Sequence, residues 1–188
     1  MNTANGQFIP SHENQLKLLP KSETEFVTLE PISFEDNNGK LWTAPKGTIT
    51  DGASIPKPLS GFFGGNTNKE HMHAAIIHDA YCAIANKEGS AYQIETWQAT
   101  HLMFYYACLV NGKSPFQAKL MYAGVRLGGP RWSLRGEAFT DLSKVPDEKL
   151  QEQMYYCEKW IKESGDSLTI GEIDDWMEQK EASLLLSK

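Results

Sequence analysis

The apolar residues of this chain change their period once, near Asn68, and that change limits the folds open to it. Between Glu25 and Ile49, β-branched and aromatic residues come in short runs, FVTLEPISFED, KLWTAP and TIT, divided by Asn37-Asn38-Gly39 and Lys46-Gly47. Short runs separated by Asn-Gly and Pro-Lys-Gly turns predict a small antiparallel meander. Beyond Asn68 the apolar spacing is close to 3.6, the period of a helix with one buried face. The first helix is expected from Asn68 or Lys69 to about Asn86, with Met72, Ala75, Ile76 and Ala80 on its core face. Ser90 and Gln93 have the spacing of a capping box and open a second helix to about Val110. Ser114-Pro115 opens a third, which Gly128-Gly129-Pro130 stops. Two more are expected over 146–162 and 169–185.

The expectation is an α+β protein. A small antiparallel β-sheet in the N-terminal third is followed by a helical core built on an antiparallel helix pair. Residues 1–24 read as a loose polar segment, 25–140 as one core domain and 141–188 as an acidic helical extension that packs loosely. At 188 residues the chain can bury a core without disulfides or a structural metal. Cys82, Cys108 and Cys157 are odd in number, have no CxxC spacing and sit in helical segments, so reduced, packed thiols are expected. A net charge of -6 argues against nucleic acid or an anionic membrane as partner. No apolar run reaches the roughly 18 to 20 residues of a membrane span, and the first residues lack a basic, then apolar, leader. Synthesis in the cytoplasm is expected, with any export by a route that needs no such leader.

Between the sheet and the first helix lies a Gly/Pro/Asn/Ser-rich loop, Asp51 to Asn68, too long for a simple connector. It runs into a helix that places His78 beside Asp79 among small apolar residues. Burying such a pair is costly without partners, so it is either paired structurally or held for chemistry. Adjacent helical residues point about 100° apart, so the two serve different partners in one cleft. His78 is a candidate general base, and Asp79 a candidate holder of a cation or a backbone amide. His101 interrupts the apolar run of the second helix and can face His78 across an antiparallel seam.

His71 and His78 lie two turns apart, about 10 Å by helix rise, too far to share one ion. Without HExxH or a Cys/His finger, a metal here is expected to be hard and oxygen-bound, such as calcium, with Asp51 and Asp79 as ligands. Asp51 and Ser54 form a candidate ligand or substrate loop, with Ser54 outside a nucleophile-elbow context. Arg126 and Arg131, with Trp132, can hold a carboxylate or phosphate, or close the helical core.

The ordered set WTAPKGTITDGASIP, AAIIHDAYC and YAGVRLGGPRW resembles a bacterial and phage family of unknown function, known by a TDGASxP loop and an HD-containing helix. The likeness covers about Lys40 to Trp132. In that family an aromatic usually follows the His by four residues. Here Tyr81 stands at three, a candidate for the loop or substrate, and Cys82 at four. An Ala-Asp pair usually precedes a Phe on the second helix, whereas Thr100-His101 precede Phe104 here. If the family Asp partners the His, His101 takes its place.

A weaker resemblance is to small bacterial phospholipases of the phospholipase A2 type, without their signature cysteines. It implies a His that activates water, an adjacent Asp that binds calcium, and a partner on an antiparallel helix; His78, Asp79 and His101 stand at those positions. These likenesses imply a phage, prophage or antibacterial-effector hydrolase. Its substrate would be a cell-envelope lipid ester or peptidoglycan bond, its delivery by phage or contact-dependent secretion, and its partners phage or secretion-apparatus proteins or an immunity protein. The competing expectation is a non-catalytic tail-associated or assembly protein in which Asp51 and His78-Asp79 only hold the loop to the helices.

Overall fold

The computed structural model describes residues 6–11, 15–52, 59 and 71–186. Among them are six short strands: β1 (Gln7–Ile9), β2 (Leu18–Pro20), β3 (Phe26–Thr28), β4 (Ile32–Glu35), β5 (Leu41–Ala44) and β6 (Ile49–Thr50). Five α-helices follow: α1 (Met72–Cys82), α2 (Trp97–Val110), α3 (Pro115–Gly128), α4 (Asp147–Ser164) and α5 (Ile170–Leu186). The protein is α+β, as its periodicity predicts.

The β4–β5 hairpin turns where the Asn-Gly signal places it. Gly39 has φ 76°, a backbone conformation that glycine adopts without penalty. The Asp36 carboxylate closes the turn, accepting from the N–H groups of Asn38 and Lys40 and from Trp42 Nε1. The strands nevertheless form two three-stranded antiparallel sheets, β1-β4-β5 and β2-β3-β6, rather than one meander. Pro31 cannot donate to a ladder, and after it the chain leaves β3 for the first sheet. The segment expected to be loose supplies β1 and β2. Their pairing is non-local: Phe8 lies opposite Phe34, and Leu19 opposite Val27.

All eleven residues of α1 are buried, so it has no solvent face. One side packs on β4, β5 and β6 and the other on α2. Such a helix sits at the centre of a fold rather than on its surface. Phe34, Trp42, Ile76, Phe104 and Tyr122 are all buried in one continuous core. Each such side chain contributes about 1.5–3 kcal/mol through apolar burial.

Helix ends follow local chemistry in α3 and α5. Ser114 and Gln117 exchange both bonds of a capping box, and Glu172 accepts from Thr169 while its own N–H donates to Thr169 Oγ1. The start of α2 differs from expectation. Its cap is Thr96, which accepts from Ala99 N–H, not Ser90. Gln93 has φ 53° and donates its N–H to the Tyr81 carbonyl, so a long-range contact overrides the local pattern there.

The C-terminal helices do not pack loosely. Met154, Cys157, Ile161, Ile173 and Met177 are buried and join the same core as α1–α3. Asp174 accepts from Arg126 Nε and from Tyr122, and Glu181 accepts from both terminal nitrogens of Arg131. Acidic residues that read as a solvated tail therefore face the arginines at the end of α3 and just beyond it. No helix among the described residues is long and apolar enough to cross a membrane.

Candidate functional site

α1 and α2 cross so that His78 and His101 meet. His78 Nε2 lies 2.8 Å from His101 Nδ1, with both side chains buried, at 1% and 0% exposed. The two rings sit in an aromatic wall: His78 against Phe104, His101 against Trp97 and Trp132. One turn along α1, Cys82 Sγ lies 3.4 Å from His78 Nδ1. This is the i,i+4 spacing that brings side chains together on one helical face.

The neighbours assign the tautomers. The Pro130 carbonyl is close enough to His101 to favour its protonated form, although Nε2 closes no hydrogen bond of good geometry. With that hydrogen toward Pro130, His101 accepts at Nδ1. His78 then donates from Nε2 and keeps the lone pair of Nδ1 on the side of Cys82.

Asp79 is buried, and its carboxylate accepts a 2.6 Å hydrogen bond from Thr50 Oγ1. The same hydroxyl accepts from Gly52 N–H, 2.9 Å away, which ties the start of the long loop to α1. Asn86 completes the clamp. Its amide donates to the carbonyls of Ile49 and Asp79 and accepts from Ile49 N–H. Strand β6 is thereby held against the C-terminal end of α1, which brings Asp51 to the site.

Asp51, His78, Asp79 and Cys82 border one cavity of about 350 Å³, closed on the far side by Gly128, Gly129 and Pro130. Burial dominates its electrostatics. It depresses His78 to about 3. It also holds His101 well below the usual histidine range, helped by His78 and by the positive charges of Arg126 and Arg131. Both imidazoles are therefore neutral at pH 7. Burial pushes the Cys82 thiol well up, and the carboxylates of Asp79 and Asp51 push in the same direction.

The sequence-predicted residues divide by position. Asp51, His78 and Asp79 meet at the cavity, with His101 directly behind His78. Ser54 lies outside the described residues, as does most of the loop that carries it. Tyr81 points toward the sheet: its hydroxyl accepts from Thr43 N–H and its ring packs on Trp42. Arg126 and Arg131 both lie over the Trp97 ring, each with its guanidinium carbon 4.6 Å from the ring centroid. Trp132 donates to the Glu95 carbonyl. Arg126 and Trp132 thus stand behind His101 rather than in the cavity.

Sequence reasoning missed Cys82, Thr50 and Gly129. Cys82 had a readable signal, its four-residue offset from His78. Gly129 had none beyond ending a helix. A Cβ there would strike the Val125 carbonyl oxygen and come within 3.2 Å of His101 Cε1. Gly129→Ala is accordingly expected to destabilise the protein by about 1–3 kcal/mol in a denaturant titration and to displace His101 from His78.

The chain is similar to two proteins of Sinorhizobium fredii (strain NBRC 101917 / NGR234). It is 33% identical over 141 residues to Uncharacterized protein y4jT, covering 75% of this chain and 37% of that protein. It is 39% identical over 114 residues to Uncharacterized protein y4iH, covering 61% and 44%. The chain thus spans less than half the length of these curated relatives. No solved structure matches it. The family model described as Protein of unknown function (DUF1353) matches residues 26–125, which is 100 of 188 residues and runs from β3 into α3, and the chain belongs to that family.

Proposed function

We propose that this protein is a hydrolase of phage, prophage or antibacterial-effector type that cleaves a cell-envelope bond, either a lipid ester or a peptidoglycan linkage. The observation that carries this reading is the buried His78–His101 pair backing onto a cavity that also takes Asp51 and Asp79. Two neutral histidines and a carboxylate are expensive to bury for packing alone, and apolar residues would fill the same space at lower cost. His101 holds His78 in one orientation, and the free ring nitrogen of a neutral imidazole together with two carboxylates is a set that positions and polarises water. The cavity is near the lower limit for ligand sites, which suits the reacting group of a large envelope molecule rather than a whole small substrate. The TDGASxP loop that carries Asp51 fits the same reading. So does the analogy to phospholipase A2-type enzymes, with a His, an adjacent Asp and a partner on the next helix.

The test is release of fatty acid from phospholipid vesicles, or of soluble fragments from purified peptidoglycan. His78→Gln keeps a donor for His101 and is expected to reduce release by about 10²–10⁴-fold, with little change in melting temperature. A folded His78→Gln protein with full activity overturns the reading. One observation favours the second reading, a non-catalytic tail-associated or assembly protein: Tyr81, Arg126 and Trp132 are all engaged in internal contacts. In that case neither substrate is cleaved, and His78→Gln acts on stability alone.

A further inference from the structure

We infer that the cavity is a metal centre in which His78 Nδ1, the Asp79 carboxylate and Cys82 Sγ together bind one divalent ion of the zinc class, with a fourth position open to the cavity that Asp51 borders. The inference deepens the hydrolase reading and rests on it for what the ion does: His78 serves as a ligand, and the ion rather than a His78 nitrogen activates the water, while the ligand geometry stands separately. One ligand atom from each of the three residues lies within 4.8 Å of the other two. In a tetrahedral zinc site, Zn–S near 2.3 Å and Zn–N near 2.0–2.1 Å put sulfur and nitrogen about 3.6 Å apart. Cys82 Sγ and His78 Nδ1 are 3.4 Å apart before any adjustment.

The surroundings are those a ligand set needs. A metal-bound histidine usually donates its other ring N–H to a fixed acceptor. His78 Nε2 has that acceptor in His101 Nδ1 at 2.8 Å. The carboxylate of Asp79 is held by Thr50. Charge points the same way, because the Asp51 and Asp79 carboxylates, both of which bear on Cys82, leave negative potential in one small cavity that a cation offsets. Three protein ligands with an open fourth position is the arrangement of catalytic rather than structural zinc.

Cys82 also decides the class of metal. Asp51 and Asp79 alone would suit calcium, whereas a thiolate and an imidazole select zinc or its borderline neighbours. On binding, the Cys82 thiol gives its proton to solvent and the S–metal bond replaces S–H. A water in the fourth position becomes more acidic, and Asp51 is a nearby group to take its proton.

The experiment uses the full chain, stripped with a chelator and titrated with zinc and with cobalt(II). One equivalent should bind, and the cobalt form should show a thiolate-to-metal charge-transfer band with the intense visible bands of a tetrahedral site. Cys82→Ser should lose the charge-transfer band while Cys108 and Cys157 remain. His101→Phe, which removes the partner of His78 without removing a ligand, should weaken zinc binding by about 10–100-fold. Lack of stoichiometric binding by the wild-type chain overturns the inference, as does a charge-transfer band that persists in Cys82→Ser or a preference for calcium over zinc. The hydrolase reading fails separately: zinc bound as described with no cleavage of vesicles or peptidoglycan would sink that reading alone. Full hydrolysis by the stripped protein would sink the metal centre alone.

Discussion

Arg131→Ala is expected to destabilise the protein by about 3–5 kcal/mol, the usual cost of leaving one partner of a buried ion pair uncompensated. The Arg131 and Glu181 side chains are only 5% and 7% exposed. Arg131 donates to both Glu181 carboxylate oxygens and to the carbonyls of Arg126 and Thr140. Removing it strands a buried carboxylate and frees two carbonyls at once. For a chain of this size the loss corresponds to a fall in melting temperature of roughly 6–20 °C. Exchanging both partners, as in Arg131→Met with Glu181→Leu, should recover much of the loss because no buried charge remains. A single variant within 1 kcal/mol of wild type, measured by denaturant titration, would show that α5 is not anchored through this pair. The effect should also reach the site. Arg131 follows Gly129-Pro130, the segment that closes the cavity and touches His101, so slack there loosens the His78–His101 contact.

Acid should destabilise the metal-free protein well before its carboxylates titrate. The folded pKa of both His78 and His101 is depressed, mainly by burial, His78 to about 3. In the unfolded chain both titrate near 6.5. Below that value the unfolded state binds protons that the folded state refuses, so the stability is fully present above pH 6.5. It is lost as pH falls from there toward the folded values. Each histidine that stays neutral costs about 1.4 kcal/mol per pH unit in this window, hence about 2 kcal/mol each between pH 6.5 and 5. The two together should cost about 4 kcal/mol, read from denaturation midpoints in the presence of a chelator. His101→Phe should halve the slope. A flat profile from pH 7 to 5 would mean that the pair takes up a proton while folded, and the burial argument would then be wrong.

Several features of this protein were legible along the chain because their partners lie three or four residues apart. Ser114 and Gln117 cap α3, Thr169 and Glu172 open α5, Asp36 and Gly39 close the hairpin, and His78 and Cys82 share a helical face. The residue types and spacings alone specify such contacts, whatever the rest of the chain does. The class of fold was legible for the same reason, since the change from β-texture to helical period is local.

What only tertiary structure decided involves partners far apart in sequence. β1 and β2, three residues each, are too short to read as strands and exist because β4 and β3 offer them unpaired edges. The local capping pattern at Ser90 and Gln93 lost to the Tyr81 carbonyl. Arg126 and Trp132, suited by chemistry to bind an anion, were turned behind His101 because α5 and the Glu95 carbonyl supply their partners. Asp79 found Thr50, Arg131 found Glu181, and His78 found His101 across the α1–α2 seam. Each of these pairings depends on which surfaces the packed elements turn toward one another, and that orientation is set by the burial of the whole core rather than by any one segment of it.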